Sequence, residues 1–169
     1  MQTVPENYLA FAAKRMHLSQ KEISRCVEQL SEEQLWHRAG DYENSIANLL
    51  LHLEGNMRQW ILHGIDDQPD VRRRDDEFTL APSTKSADAL AAFNATLEES
   101  ARVIASLDSA RLLIVIDPQP NGTWRNATIL EAIFKVVSHL DHHTGQIILL
   151  TKQHVRRDLD LSMPRKRWP

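Results

Sequence analysis

The sequence predicts an all-α fold, a four-helix bundle with one long crossover connection. Three observations predict it. The 169-residue chain contains only 5 glycines, fewer than the turns of a sheet-rich protein usually need. Four stretches of about 20 residues carry apolar side chains at helical spacing. A polar segment of some length separates the second stretch from the third, as in bundles with a crossover. The chain length suits one domain over residues 1–169, with 156–169 as a C-terminal tail.

The first helix is expected from about Pro5 to Leu30, with Pro5 in the first turn, where its missing N–H costs nothing. Ser31 and Gln34 read as a capping box opening a short turn, and Gly40 and Asp41 break the pattern. The second helix starts near Ser45 and ends around Gly64, a good residue to follow a helix. Its apolar stripe is Ile46, Leu49, Leu50, Leu53, Met57 and Trp60. Residues 64 to 84 form a polar connection. Its "DDQPDVRRRDDEF" mixes both signs of charge and reads as a solvated loop rather than a binding patch.

The third helix is expected from Ser86 to Leu107, with Leu90, Phe93, Leu97, Ala101 and Ile104 facing inward. In "LLIVIDPQPNGTWRNAT" the β-branched run and the Asn121-Gly122 pair suit either a short hairpin or a plain loop. Thr128 and Glu131 form a capping box for the fourth helix, Ile129 to Lys152. The tail can pack back across the bundle through Leu159, Leu161, Met163 and Trp168.

Charge and composition exclude several functions. A net charge of −3 gives no broad basic surface for nucleic acid. No apolar run approaches the ~20 residues of a membrane span. The opening "MQTVPENYLAFAAKRM" does not look like a secretion signal. Cys26 is the single cysteine, so no disulfide forms within the chain and a reducing, cytoplasmic compartment is expected. Cys26 itself reads as a small core residue, since no activating base is recognisable beside it.

"SHLDHHTGQIILL", residues 138 to 150, places three histidines in an otherwise apolar helix. At ~100° per residue, His143 falls about 40° and His139 about 80° to one side of the Ile129 direction, on the border of the buried face. His142 falls farther out, toward solvent. Two imidazoles one turn apart on one face can converge on one ion. The pattern is not a metalloprotease motif, because Leu140 stands where H-E-x-x-H needs its glutamate. A third ligand is expected from a neighbouring helix, since bundles build metal sites from facing helices. His52 on the second helix flanks the apolar stripe and is the candidate. His17, His37 and His154 lack a paired spacing, and His63 lies at a helix end. A lone boundary histidine such as His52 is more often a hydrogen-bonded partner than a ligand, and an i,i+4 pair such as His139 and His143 also arises on solvated faces; it is the combination that suggests a three-histidine site.

These residues also resemble a known family. "SIANLLLHLEGNMRQW" followed by "HLDHHTGQI" is similar to the DinB/YfiT-like superfamily of metal-dependent proteins. The pattern there is a histidine in the second helix, a tryptophan eight residues on, then H-x-x-x-H-x-G-Q-[IVL] in the last long helix. His52, Trp60, His139, His143, Gly145, Gln146 and Ile147 match it. The resemblance implies a four-helix bundle with a long crossover and a divalent ion, zinc or nickel, held by His52, His139 and His143. Members with known activity include thiol S-transferases and thiol-dependent isomerases, and many have none known, so the resemblance implies a thiol S-transferase-like enzyme using a low-molecular-weight thiol such as bacillithiol or mycothiol on a small-molecule substrate, and a homodimer. Thr144 departs from the family, which often has a basic residue there, and this leaves the thiol class open.

Three functions follow. In a transferase or hydrolase, the ion activates a thiol or water. In a metal-binding stress-response module without turnover, the 64–84 connection or the "RKRW" tail meets a protein partner. In a structural role, the histidines are hydrogen-bonded without a tight metal. No general base is evident: Glu54 and Asp141 point away from the site by helical phase. Asn48 and Asn56, one turn on either side of His52, are expected as hydrogen-bond partners of the ligands.

Overall fold

The computed structural model describes residues 2–78, 84–117 and 126–161. The first helix, α1, spans Val4–Val27, starting one residue before the expected Pro5 and ending three short of Leu30. Thr3 and Glu6 close a capping box at its start, so two N–H groups without helical partners are satisfied by side chains. The short α2, Glu32–Trp36, has the expected Ser31/Gln34 box. Helix α3, Ile46–Met57, is capped by Ser45.

The chain does not stop there. Residues Arg58–His63 continue the axis as a wider π-type turn, in which the Gly64 N–H reaches the Gln59 carbonyl at 3.1 Å. Trp60, Ile61 and Leu62 are all fully buried in that turn. A short 3-10 turn, Arg74–Phe78, lies in the polar connection. Helix α4 is Ser86–Ser106, and a second 3-10 turn covers Ser109–Arg111. The last helix, α5, is Ile129–Val155, with the expected Thr128/Glu131 box.

Among the described residues the protein is all-helical, with one isolated antiparallel bridge between Val115 and Thr128. The Ile116 N–H to Ala127 carbonyl and the Ile129 N–H to Ile114 carbonyl, both 2.9 Å, bring the two ends of the 112–130 region together. The Asn121-Gly122 pair lies outside the described residues, as do Met163, Trp168 and the "RKRW" tail. Leu159 is buried, and Arg25 donates to the Leu159 and Asp160 carbonyls, which seats the tail against α1.

Helix α1 packs on α4 and α5, and α3 packs on the same two. This pairing is compatible with a four-helix bundle. The expected stripes supply the core: Ile46, Leu49, Leu50, Leu53, Met57 and Trp60 from α3 and its extension, and Ile129, Ile133, Val136, Leu140 and Ile147 from α5. From α4 come Phe93, Leu97, Ala101 and Ile104, with Ala89 buried where Leu90 is only half-buried. Cys26 sits in this core, and burial pushes its thiol pKa up. No described helix is long and apolar enough to cross a membrane.

Candidate metal centre

The packing of α3 against α5 brings His52, His139 and His143 together. One ring nitrogen from each lies within 4.8 Å of the other two. The His139 Nε2 is 3.0 Å from the Nε2 of His52 and 3.0 Å from that of His143. The rings are steeply inclined to one another, at 69°, 86° and 83°, with centroids 4.4 to 5.1 Å apart. Three edges therefore meet at a point instead of stacking. His52 is buried, and His139 and His143 are half-buried. His142 is exposed, as its helical phase requires.

Two of the three tautomers are set by neighbours. An ionised carboxylate can only accept, so the Glu77 Oε2 at 2.8 Å from the His52 Nδ1 accepts a hydrogen bond from an Nδ1–H. The Gln146 Oε1 accepts from the His143 Nδ1 at 2.6 Å, while its amide nitrogen turns toward the His142 Nε2 at 3.4 Å. His52 and His143 thus present Nε2 lone pairs to the His139 Nε2. The His139 Nδ1 is buried without a hydrogen-bond partner among the described residues.

No arrangement of protons on three neutral rings satisfies this cluster. A proton on the His139 Nε2 can serve one of its two neighbours, leaving lone pair against lone pair at the other. Adding a proton is opposed by the surroundings. His139 is pushed down to about 3, by burial first and then by His143, His52, Lys135 and Arg72. Burial also lowers His143. Three neutral imidazoles with converging lone pairs are the donor set a divalent transition-metal ion requires. These residues fit such an ion.

The polar connection is not the solvated loop its charge pattern suggests. It sends Glu77 and Arg72 into the protein, with side chains 7% and 6% exposed. The Arg72 Nε donates to the Glu77 Oε1 at 2.7 Å and its Nη2 to Oε2 at 2.9 Å, a bidentate pair. The Arg72 Nη1 also reaches the Gln59 Oε1 at 3.0 Å. Burial raises the Glu77 pKa, but the hydrogen bonds from Arg72 and His52 outweigh it and hold the carboxyl below its ordinary value. The pair fits because residue 55 is glycine: a Cβ there would collide with the Glu77 carboxylate and press on the Arg72 Nε.

Asn48 supports this arrangement from below. Its Nδ2 donates to the Glu77 carbonyl at 2.9 Å, and its Oδ1 accepts from Arg38, which also binds the Phe78 carbonyl. Asn48 therefore acts on the segment that carries Glu77 and not on the His52 ring. Asn56 does not assist the ligands: its Oδ1 is buried without a hydrogen-bond partner among the described residues. Glu54 bonds Arg58 and Thr96, and Asp141 bonds Arg15 and Ser19, so both face away from the histidines as expected. Thr144 is buried and donates to the Leu140 carbonyl of its own helix. Position 144 thus faces the core. One turn before His139, the Lys135 ammonium sits 3.5 Å above the Trp60 ring. Burial, with Arg72 nearby, pushes Lys135 down to about 8.

A cleft of about 320 Å³ borders this assembly on the side of Gly55, Arg72 and Glu77, and no histidine lines it.

A family model described as a protein of unknown function (DUF1572) matches residues 3–167. No curated protein matches the chain.

Proposed function

The chain belongs to the DUF1572 family, and we propose that it is a metal-dependent enzyme of DinB/YfiT-like architecture whose ion is held by His52, His139 and His143. The observation that carries this reading is the convergence of three Nε2 atoms, two of them fixed as lone-pair donors by Glu77 and Gln146. A hydrogen-bonded structural role would leave each ring nitrogen with a complementary partner, and this cluster leaves at least one Nε2 facing another lone pair. Zinc or nickel suits an all-imidazole set.

A divalent ion with only three protein ligands keeps positions open, where it lowers the pKa of a coordinated thiol or water. The protein's own part is to supply neutral donors, to hold them in one orientation and to keep cations nearby. His139 resists protonation because it is buried among other cations. Lys135, anchored on Trp60 one turn before His139, places positive charge beside the histidines, which favours a negatively charged substrate or thiolate. The proposed activity is thiol S-transfer to a small electrophile in a cytoplasmic homodimer, with the thiol and electrophile unspecified.

Cobalt(II) replacement tests the thiol step. Protein loaded with cobalt and titrated with cysteine or 2-mercaptoethanol is expected to develop a sulfur-to-cobalt charge-transfer band in the near ultraviolet. Retained cobalt with no such band at saturating thiol would overturn the S-transferase reading in favour of water activation.

A further inference from the structure

We propose that Glu77, delivered by the connection between α3 and α4, is a positioning residue of the metal centre, and that Gly55 is the opening through which it acts. The proposal rests on the three-histidine reading above. Glu77 is not one of the three candidate ligands. It acts through His52, whose Nδ1–H it accepts at 2.8 Å. That bond selects the tautomer with a free Nε2 lone pair and makes the ring more basic toward a cation, as carboxylate partners of metal-bound histidines do.

Three features of the chain maintain the contact. Arg72 fixes the carboxylate with two hydrogen bonds, its Nη2 lying 3.4 Å from the His52 Nδ1. Asn48, itself in the first turn of α3, holds the Glu77 backbone carbonyl. Gly55 stands three residues after His52 and leaves out the one side-chain atom that would push the carboxylate away. Metal binding and the seating of the connection are therefore linked: whatever displaces Glu77 weakens the ion, and by reciprocity the ion holds the connection in place.

Gly55→Ala isolates the effect, because two consequences of the same methyl group oppose each other. Alanine favours an interior helical position over glycine, so metal-free α3 gains intrinsic helix propensity. The same methyl displaces Glu77 from His52. Zinc affinity is measured by competition with a chromophoric chelator for the parent, Gly55→Ala and Glu77→Gln, the last as the variant that adds no bulk. Both variants are expected to bind zinc roughly 10- to 100-fold more weakly. In long-range nitrogen–proton spectra of the metal-free protein, the His52 Nδ1–H form dominates in the parent and loses its dominance in both. Variants with lowered thermal midpoints but parental zinc affinity would overturn the proposal, leaving Glu77 a merely structural residue. A parent that binds no zinc would instead overturn the three-histidine reading and this proposal with it.

Discussion

Arg72→Met is expected to lower the unfolding free energy at neutral pH by roughly 3–5 kcal/mol, the usual result of removing one partner from a buried ion pair. The side chains of Arg72 and Glu77 are 6% and 7% exposed, so water cannot take over the lost hydrogen bonds. Methionine keeps most of the volume but leaves the Glu77 carboxylate with His52 as its remaining side-chain partner. The pH dependence carries its own sign. Glu77 is held below its ordinary 4.5 in the folded parent, because Arg72 and His52 outweigh burial. Its contribution is fully present above the unfolded value and is lost as pH falls through the lowered folded value. In the variant, burial acts with less opposition, the carboxyl titrates higher, and the deficit shrinks in acid. Urea unfolding at neutral pH and again near pH 4 checks both statements. A neutral-pH deficit under about 1 kcal/mol, the range of solvated ion pairs, would show that the connection is not buried as described.

His139→Ala should separate folding from metal binding. His139 is the ring whose Nε2 faces both of the others, so its removal leaves two ligands on different helices. It also removes a buried Nδ1 that has no partner among the described residues. Losing an unsatisfied polar atom and gaining alanine's helix propensity offset the lost packing. The metal-free variant is therefore expected within about 1 kcal/mol of the parent. The ligand-linked stabilisation disappears. Zinc at 100 times its dissociation constant raises parental stability by about 2.7 kcal/mol, and the same addition should leave the variant's melting curve unmoved. Equal zinc-induced stabilisation in both proteins would place the ion elsewhere.

Much of this arrangement is legible in the amino-acid sequence, and the boundary is instructive. Thr128/Glu131 and Ser31/Gln34 announce helix starts because capping is a local hydrogen-bonding rule. His139 and His143 are readable because helical phase fixes which side chains share a face. The pairing with His52 needs the additional idea that α3 faces α5. Glu77 and Arg72 were hidden for a physical reason. A segment with both signs of charge has no periodicity, and a solvated loop and a buried ion pair are written with the same residues. The cue lay on the helix and not in the loop. Gly55 sits inside an otherwise apolar helix, where glycine costs about 1 kcal/mol relative to alanine, and such a residue signals that something approaches closely. The π-type turn at Arg58–His63 has no comparable signature: its apolar spacing still looks helical, while Trp60, Ile61 and Leu62 all turn inward.

The proposed function depends on His52, His139 and His143 binding one divalent ion. Metal content by elemental mass spectrometry, on protein purified without a histidine tag, tests it most directly when the His139→Ala/His143→Ala variant is measured alongside. Close to one divalent ion per chain is expected in the parent and none in the variant, with helicity unchanged by circular dichroism. A parent without metal even after incubation with zinc or nickel and desalting would contradict it, as would equal metal in both proteins.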